Sequence, residues 1–263
     1  MTKNDTNIEQ YLVCTDSMVG IFTGIYCAYE LHCCPEQTHL VLKDQYELRL
    51  FAEYIEIQED AQKAEKVLRT LEREFGEENY ERIANALSSY EPEKADDVYH
   101  LVTEGLFRHL GVHVTEHLSN PYIIAMMKLS GNVYNEIHHL YGFLRFQELE
   151  NGLLYARIEP RNNIMFQLME HFSDRFPSEN FIIHDAGRSI YAVHIKGKAW
   201  FFVEQDLVME LIGATEVSRE EELFAMYFTA FCKSIAIQER TNFKLQRQML
   251  PLRFRPNMTE FCH

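Results

Sequence analysis

Residues 136–185 read EIHHLYGFLRFQELENGLLYARIEPRNNIMFQLMEHFSDRFPSENFIIHD, and their changing hydrophobic period decides the expected fold. A helix is predicted to begin at Asn120-Pro121, since Asn is a good N-cap and Pro is tolerated in the first helical turn. It should reach about Tyr141. Beyond it, the strand-like runs FLRFQEL and LLYARIEP are joined by Asn151-Gly152, the dipeptide that most favours a type I′ hairpin. The sequence therefore predicts a helix followed by a hairpin.

The pattern then predicts one more helix, a run of strands and a last helix. Apolar residues recur at helical spacing over 164–176, and Pro177 ends that helix. Three strands separated by glycine turns follow as a meander, at residues 181–184, 190–195 and 199–203. Ser218 and Glu221 form a capping box ahead of a strongly amphipathic helix.

The region before residue 120 is predicted to be mainly helical. A strand is expected at 11–14, and the apolar stretch 18–31 is expected to be a buried helix because it is too long for a typical strand. Three helices follow, at residues 59–75, 78–88 and 94–109. The first is amphipathic, and Pro92 separates the other two.

Together these elements predict an α+β fold, in which a helical N-terminal layer accompanies an antiparallel β-meander of about five strands flanked by helices. Residues 1–119 would form a mainly helical acidic region with an N-terminal strand. Residues 120–263 would form the α+β region with the antiparallel sheet. We expect the two regions to pack as one unit.

The net charge of −15 is unevenly distributed. Residues 44–104 carry 7 basic and 17 acidic side chains, whereas residues 120–256 carry 15 and 16. An acidic chain argues against a nucleic-acid partner, but the segment 240–256 has five basic residues and no acid. This segment is either a solvated basic tail or an anion-binding element, and the acidic helical region is either a solvated face or a docking face.

Several protein classes are poorly supported by the sequence. No run approaches the roughly 20 apolar residues of a membrane span, and the start MTKNDTNIEQ is polar. We therefore expect a cytoplasmic protein with no membrane partner. The motifs GxSxG, the P-loop, the Rossmann glycine pattern and CxxC are absent, which disfavours acyl hydrolases, nucleoside triphosphatases and dinucleotide oxidoreductases.

The candidate catalytic residues are Glu136, His138, His184 and Asp185. They combine carboxylates and imidazoles, the groups used in acid-base chemistry and in mixed metal sites. HEXXH spacing is absent, and neighbours on a strand such as His184 and Asp185 point to opposite faces. We expect no bound metal or cofactor, and keep a metal site of Glu136 or His138 with His184 and Asp185 as an alternative.

A second set of residues suits a phosphate-and-base ligand, because guanidinium groups bind phosphate and aromatic faces stack on bases. The alternative is that the aromatic side chains between residues 143 and 176 belong to the core. The candidate nucleic-acid-binding residues are Arg145, Arg157, Arg175, Arg188, Arg240, Asn242, Lys244, Gln246 and Arg247.

Four motifs carry a family resemblance: the runs 136–160, HFSDRFP at 171–177, FIIHDAGRSIYAV at 181–193 and RTNFKLQRQMLPLRF at 240–254. In this order they resemble a bacterial family associated with DNA metabolism or DNA repair and built on a domain of unknown function. The opening DSMVGIFTGIYCAYE at 16–30 is also similar to the family's start. The resemblance implies a radical-SAM protein as partner, and the same domain occurs fused to uracil-DNA glycosylase-like domains.

One departure from the family pattern bears on binding. His139 and Tyr141 stand where the family usually has Arg and Lys, so two cations are lost. The positions that still match include Glu136, His138, Gly142, Arg145, Phe146, His171, Arg175, Phe176, His184, Asp185, Arg188, Arg240, Asn242, Leu245, Gln246 and Pro251. If the lost cations contact phosphate, this chain should bind nucleic acid more weakly or depend more on segment 240–256.

Our leading hypothesis from the sequence is a DNA-repair or DNA-metabolism protein that holds nucleic acid, or a modified nucleotide, and acts with a radical-SAM partner. The first alternative is a metal-assisted hydrolase or base-processing enzyme that uses the Glu/His/Asp residues. The second is a protein–protein interaction module.

Overall fold

A computed structural model describes residues 8–212 and 216–261 of the chain. Its contacts divide the chain into two compact units, Met1–Tyr134 and Asn135–His263. The two regions that the sequence predicts, with a boundary after residue 119, remain a prediction. In the described residues, no helix combines the length and apolarity needed to cross a membrane. The fold mixes helices with two sheets.

The first unit holds a three-stranded parallel sheet with the order β2-β1-β3. The predicted strand is β1 (Glu9–Cys14), and the predicted buried helix is α1 (Met18–Glu30), capped by Ser17, whose side chain accepts the Gly20 N–H. The remaining elements are β2 (Thr38–Leu42), β3 (Ala52–Glu56), α2 (Ala61–Phe75), α3 (Glu77–Leu87), α4 (Lys94–Phe107) and the start of α5 (Pro121–Phe143). The sequence predicted a single strand here, so β2 and β3 are additions.

The second unit holds a five-stranded sheet whose strands lie in chain order, β4 to β8. Its elements after α5 are β4 (Gln147–Glu148), β5 (Leu154–Ile158), α6 (Met165–Arg175), β6 (Phe181–Asp185), β7 (Ile190–His194), β8 (Phe201–Val203), α7 (Gln205–Ile212), α8 (Arg219–Ile235) and α9 (Phe243–Met249). The number of strands agrees with the sequence prediction. The helices α7 and α9 were not predicted.

The sheet is mixed, so the prediction of a purely antiparallel meander is wrong at one junction. Strands β6, β7 and β8 are antiparallel to one another, as expected. Strand β5, however, pairs with β6 in parallel, with Arg157 opposite His184 and Ile158 opposite Asp185. The cause is α6, which lies between the two strands in the chain: a helical crossover returns the chain to the end of the sheet where it started.

The hairpin between β4 and β5 is confirmed, but its turn type differs from the prediction. The Gly152 N–H donates to Leu149 O at 2.8 Å, and Gly152 has φ +77°. Asn151 is not among the residues with positive φ, whereas a type I′ turn requires positive φ at both central residues. The loop is therefore a β-turn over residues 149–152 that ends in a left-handed glycine, which makes it one residue longer than a type I′ loop.

Gly24 lies where α1 approaches the sheet closely. A Cβ atom at this position would overlap Cys14 Sγ on β1 and lie 3.2 Å from Leu40 Cδ2 on β2. Cys14 and Leu40 are fully buried, with exposed fractions of 0% and 1%. They have little room to move, because protein cores are close-packed.

We expect Gly24→Ala to lower the free energy of unfolding of the first unit by about 1–3 kcal/mol, the usual cost of overpacking. Urea unfolding followed by far-ultraviolet circular dichroism measures the change. The matched control is Gly131→Ala on α5, where an added Cβ meets nothing within 4 Å. That substitution should raise stability by up to about 1 kcal/mol through helix propensity. Equal effects of the two substitutions would contradict the close approach.

Candidate functional site

Glu136 lies on α5 with an exposed fraction of 1%, and protein donors use both of its carboxylate oxygens. The Arg161 N–H donates to Oε1 at 3.1 Å. The backbone and side-chain amides of Asn162 donate to Oε2 at 2.9 and 2.7 Å. Arg253 Nη2 forms an ion pair with Oε1 at 3.1 Å. The carboxylate thus holds the 160–162 loop and the C-terminal segment, and these contacts are structural.

Asp185 ends β6 and is the second buried carboxylate, with an exposed fraction of 0%. Its Oδ1 accepts the backbone N–H groups of Gly187 and Arg188 at 3.0 and 3.2 Å. Its Oδ2 pairs with Arg188 Nη1 at 2.9 Å. Arg188 donates onward to Pro160 O at 3.1 Å and to Arg161 O. Asp185 therefore acts through Arg188 on the same 160–162 loop that Glu136 holds.

The two candidate catalytic histidines have different surroundings. His184 is half-buried, its Nδ1 is hydrogen-bonded to Tyr155 Oη at 2.6 Å, and its ring stacks on Tyr191 at 4.0 Å. Burial lowers the pKa of His184 below its usual 6.5, and nearby Arg157 lowers it further. His138 is exposed on α5, with its ring centre 5.6 Å from that of Tyr141.

Among the described residues, Glu136, His138, His184 and Asp185 do not form a group whose ligand atoms could share a metal ion. The described residues do bring one such group together in the first unit: His39, Asp96 and His100. The sequence reasoning missed it. The available signal was the spacing of Asp96 and His100, which lie four residues apart and therefore on one face of a helix.

Three of the candidate arginines already have partners within the second unit, and of these Arg157 lies in an exposed pair. Arg188 joins Asp185 to the 160–162 loop. Arg145 pairs with Glu260 at 2.8 Å, and its Nη1 donates to the backbone oxygens at positions 142 and 144 at 2.8 and 3.2 Å. Arg157 pairs with Glu159 and lies 3.3 Å from Asn257 Oδ1. A ligand phosphate would have to compete with these partners.

The remaining candidate cations are exposed. Arg175 lies at the end of α6, with its guanidinium carbon 5.8 Å from the Phe176 ring centre. Arg240, Lys244 and Arg247 lie in or just before α9, and they form no ion pair with any carboxylate that the structure describes.

The two polar candidates in this segment have different positions. Asn242 caps α9, since its Oδ1 accepts the Leu245 N–H at 3.0 Å. Gln246 is exposed. The first is therefore needed for the helix, whereas the second is available at the surface.

Helix α8 is the amphipathic helix that the sequence predicts after its Ser218–Glu221 capping box, and it carries aromatic residues that are not among the sequence-based candidates. None of its described residues is buried. Phe224, Tyr227 and Phe231 lie three and four residues apart, hence on one face, and their exposed fractions are 69%, 64% and 55%. On α9, Phe243 is 69% exposed. The signal for this surface is the cluster of aromatic residues at 224–231, followed by the basic residues of 240–247.

A cavity of about 590 Å³ lies in the first unit, between α1, α2 and α4. Its walls are mainly apolar and include Tyr26, Tyr29, Tyr99 and Phe107. An apolar cavity with few convergent polar groups favours binding over chemistry.

We expect Glu136→Ala to destabilise the second unit by about 3 kcal/mol, because the buried donors of residues 161 and 162 lose their acceptor. The fluorescence of Trp200, the single tryptophan of the chain, reports on this unit during urea unfolding. The control is Glu159→Ala, which removes an exposed carboxylate from a surface pair and should cost under about 1 kcal/mol. Similar losses in both variants would show that the carboxylate of Glu136 does not hold the loop.

The second unit should lose stability as the pH falls below 6.5. The pKa values of His139, His171 and His184 are lowered from 6.5, first by burial and next by an arginine near each ring. Below pH 6.5 the unfolded chain therefore binds more protons than the folded one, and the stability present above that pH is lost progressively.

Urea midpoints from Trp200 fluorescence at pH 7.5 and 5.5 measure this effect, and His184→Gln should reduce the difference between them. A midpoint that rises on acidification would contradict the expectation.

The sequence of the chain matches one known family. No curated protein matches the chain. The model of DUF4130, a domain of unknown function, matches residues 92–260. This match includes residues 135–260 of the second unit, where the candidate catalytic and nucleic-acid-binding residues lie. Because it covers well over half of the sequence, the chain belongs to the DUF4130 family.

Proposed function

We propose that this protein binds single-stranded nucleic acid, DNA above all, and that it acts in DNA metabolism or repair. The observation that carries the proposal is the set of exposed aromatic and basic side chains on α8, on α9 and at Arg240 just before α9. We call it the α8–α9 surface, and its residues are Phe224, Tyr227, Phe231, Arg240, Phe243, Lys244 and Arg247.

The cations of this surface support an anionic ligand. Lys244 and Arg247 lie three residues apart on α9 and so on neighbouring positions of one face, and Arg240 precedes the helix. The other two basic residues of segment 240–256 are used internally. Arg253 pairs with Glu136, and Arg255 lies with its guanidinium carbon 4.8 Å from the Phe261 ring centre. The local positive charge therefore resides on three exposed side chains.

The aromatic residues favour single strands over duplexes. A base can stack on an exposed ring only when its own face is uncovered, and each such stack contributes about 1–3 kcal/mol. The exposed rings of α8 also need an explanation, because proteins rarely leave a contiguous apolar face uncovered. Stacked bases would cover the rings of Phe224, Tyr227 and Phe231, while their phosphates met the cations.

The family resemblance supports DNA as the nucleic acid. The motifs at 136–160 and 240–254 resemble proteins associated with DNA repair, and the latter motif includes α9. The same resemblance supports a radical-SAM protein as the functional partner. The alternative of an enzyme that uses Glu136 and Asp185 is weakened because the 160–162 loop and its neighbours occupy both carboxylates.

We expect the affinity for a fluorescein-labelled single-stranded oligonucleotide to fall with salt. Three phosphate contacts predict a slope of about −2 for log K against log salt concentration, since each contact on a single strand contributes about −0.7. Anisotropy titrations across several salt concentrations measure it. Lys244→Gln should reduce the slope by about 0.7. The control, Lys198→Gln, removes a charge that is also exposed, between β7 and β8, and should leave the slope unchanged.

Phe231→Ala should weaken binding without changing the salt slope, by a factor of about 5 to 150 if one base stacks there. An affinity for the oligonucleotide that does not change with salt concentration would contradict the proposal. Equal binding of a duplex, with no loss in the Phe231 variant, would instead show that the ligand does not stack on α8.

A further inference from the structure

His39, Asp96 and His100 converge in the first unit from two elements. His39 lies on the edge strand β2, and Asp96 and His100 lie one turn apart on α4. His39 Nδ1 is 3.0 Å from Asp96 Oδ2, and His100 Nε2 is 3.4 Å from Asp96 Oδ1. One ligand atom from each of the three residues can be chosen so that all lie within 4.8 Å of one another.

These separations match those of donors around one metal ion. Two ligands at about 2.0–2.1 Å from an ion, at an angle between octahedral and tetrahedral, lie about 2.9–3.4 Å apart. The two imidazole-to-carboxylate distances fall in this range. The two distances end on different oxygens of Asp96, so one ion would be bound by both oxygens, or by one of them after a rotation of the carboxylate.

The ligand atoms are already oriented by their neighbours. The Leu40 N–H donates to Asp96 Oδ1 at 3.0 Å, which fixes the carboxylate. The ring of Tyr122 stacks on His100 at 4.0 Å, and that of Tyr11 stacks on His39 at 5.3 Å. Such outer contacts are typical of metal sites, where they hold the ligands in one orientation.

An unsatisfied nitrogen of His100 is a second observation that points to a bound ligand. Its Nε2 atom is buried, and no described residue hydrogen-bonds to it, although Asp96 lies within ion-pair distance. Buried polar atoms are rarely left without a partner. The His100 side chain is 10% exposed, whereas those of His39 and Asp96 are 24% and 21% exposed. The site is thus buried on one side and open to solvent on the other.

We propose that His39, Asp96 and His100 bind one divalent transition-metal ion and leave its remaining positions open to water or another ligand. Two imidazoles and one carboxylate suit ions of the Fe²⁺ to Zn²⁺ series, whereas Ca²⁺ and Mg²⁺ prefer oxygen ligands throughout. The proposal is independent of the nucleic-acid surface, which lies in the other unit.

Titration of the metal-stripped full chain with Co²⁺ tests the site directly, since visible absorption reports the ligands and their geometry. We expect saturation at one equivalent, with spectra typical of nitrogen and oxygen ligands. An intense thiolate-to-cobalt charge-transfer band would instead place the ion on cysteines such as Cys33 and Cys34, and would overturn the proposal. So would the absence of stoichiometric binding by the unmodified chain.

Variants identify the ligands. His39→Gln and Asp96→Asn should each weaken Co²⁺ binding by more than about 100-fold, because even the loss of an outer contact costs about 10–100-fold. The control is His113→Gln, at an exposed histidine 3.1 Å from Glu116, and it should bind as the unmodified chain does. Circular dichroism establishes that each variant is folded. Unchanged affinity in folded His39→Gln would overturn the assignment.

Discussion

The carboxylate of Glu136 is taken out of water by the fold and then surrounded by donors from two other parts of the chain. An isolated buried carboxylate would be very unfavourable, so the Arg161 and Asn162 amides and the Arg253 guanidinium are conditions for its burial. Because these groups come from the 160–162 loop and the C-terminal segment, one side chain on α5 fixes both. Asp185 reaches the same loop through Arg188 from the end of β6, so the loop is held from two directions.

This arrangement divides the arginines into two groups with different roles. Arg145, Arg188 and Arg253 neutralise or join buried and half-buried groups, and their positive charges are largely balanced within the protein. Arg240 and Arg247 are exposed, and no carboxylate among the described residues pairs with them. A high content of arginine and aromatic residues therefore identifies no ligand surface by itself. What separates the two groups is the presence or absence of a carboxylate partner, which depends on the three-dimensional fold.

Local patterns predicted most of the helices, though not α7 and α9, whereas long-range pairing and the environment of each polar group could not be predicted. The apolar spacing of 59–75 corresponds to α2 within two residues at its start, and the capping box at Ser218 begins α8. Strands β2 and β3 were missed because THLVL and AEYIE are short and partly polar, and their parallel partners lie far away in the chain. The apolar face of α8 was visible in the sequence, but spacing shows which face is apolar and not what covers it.

The candidate sites illustrate the same limit. The sequence identified Glu136 as a chemically unusual residue, but two of its four partner groups are backbone N–H groups, which have no sequence signature. The convergence of His39 with Asp96 and His100 requires β2 to lie beside α4, and β2 itself was not predicted. Residues on one element can be grouped from their spacing, whereas residues on different elements meet only through topology.

The position of β1 has a consequence for folding during synthesis. It precedes both of its neighbours in the chain, yet it lies in the centre of the parallel sheet, with β2 on one edge and β3 on the other. At the roughly 5–20 residues per second of translation, several seconds pass between the appearance of β1 and that of β3. During that interval an apolar strand has at least one unpaired edge, so the nascent chain is exposed to mispairing and to chaperone capture until Glu56 has emerged.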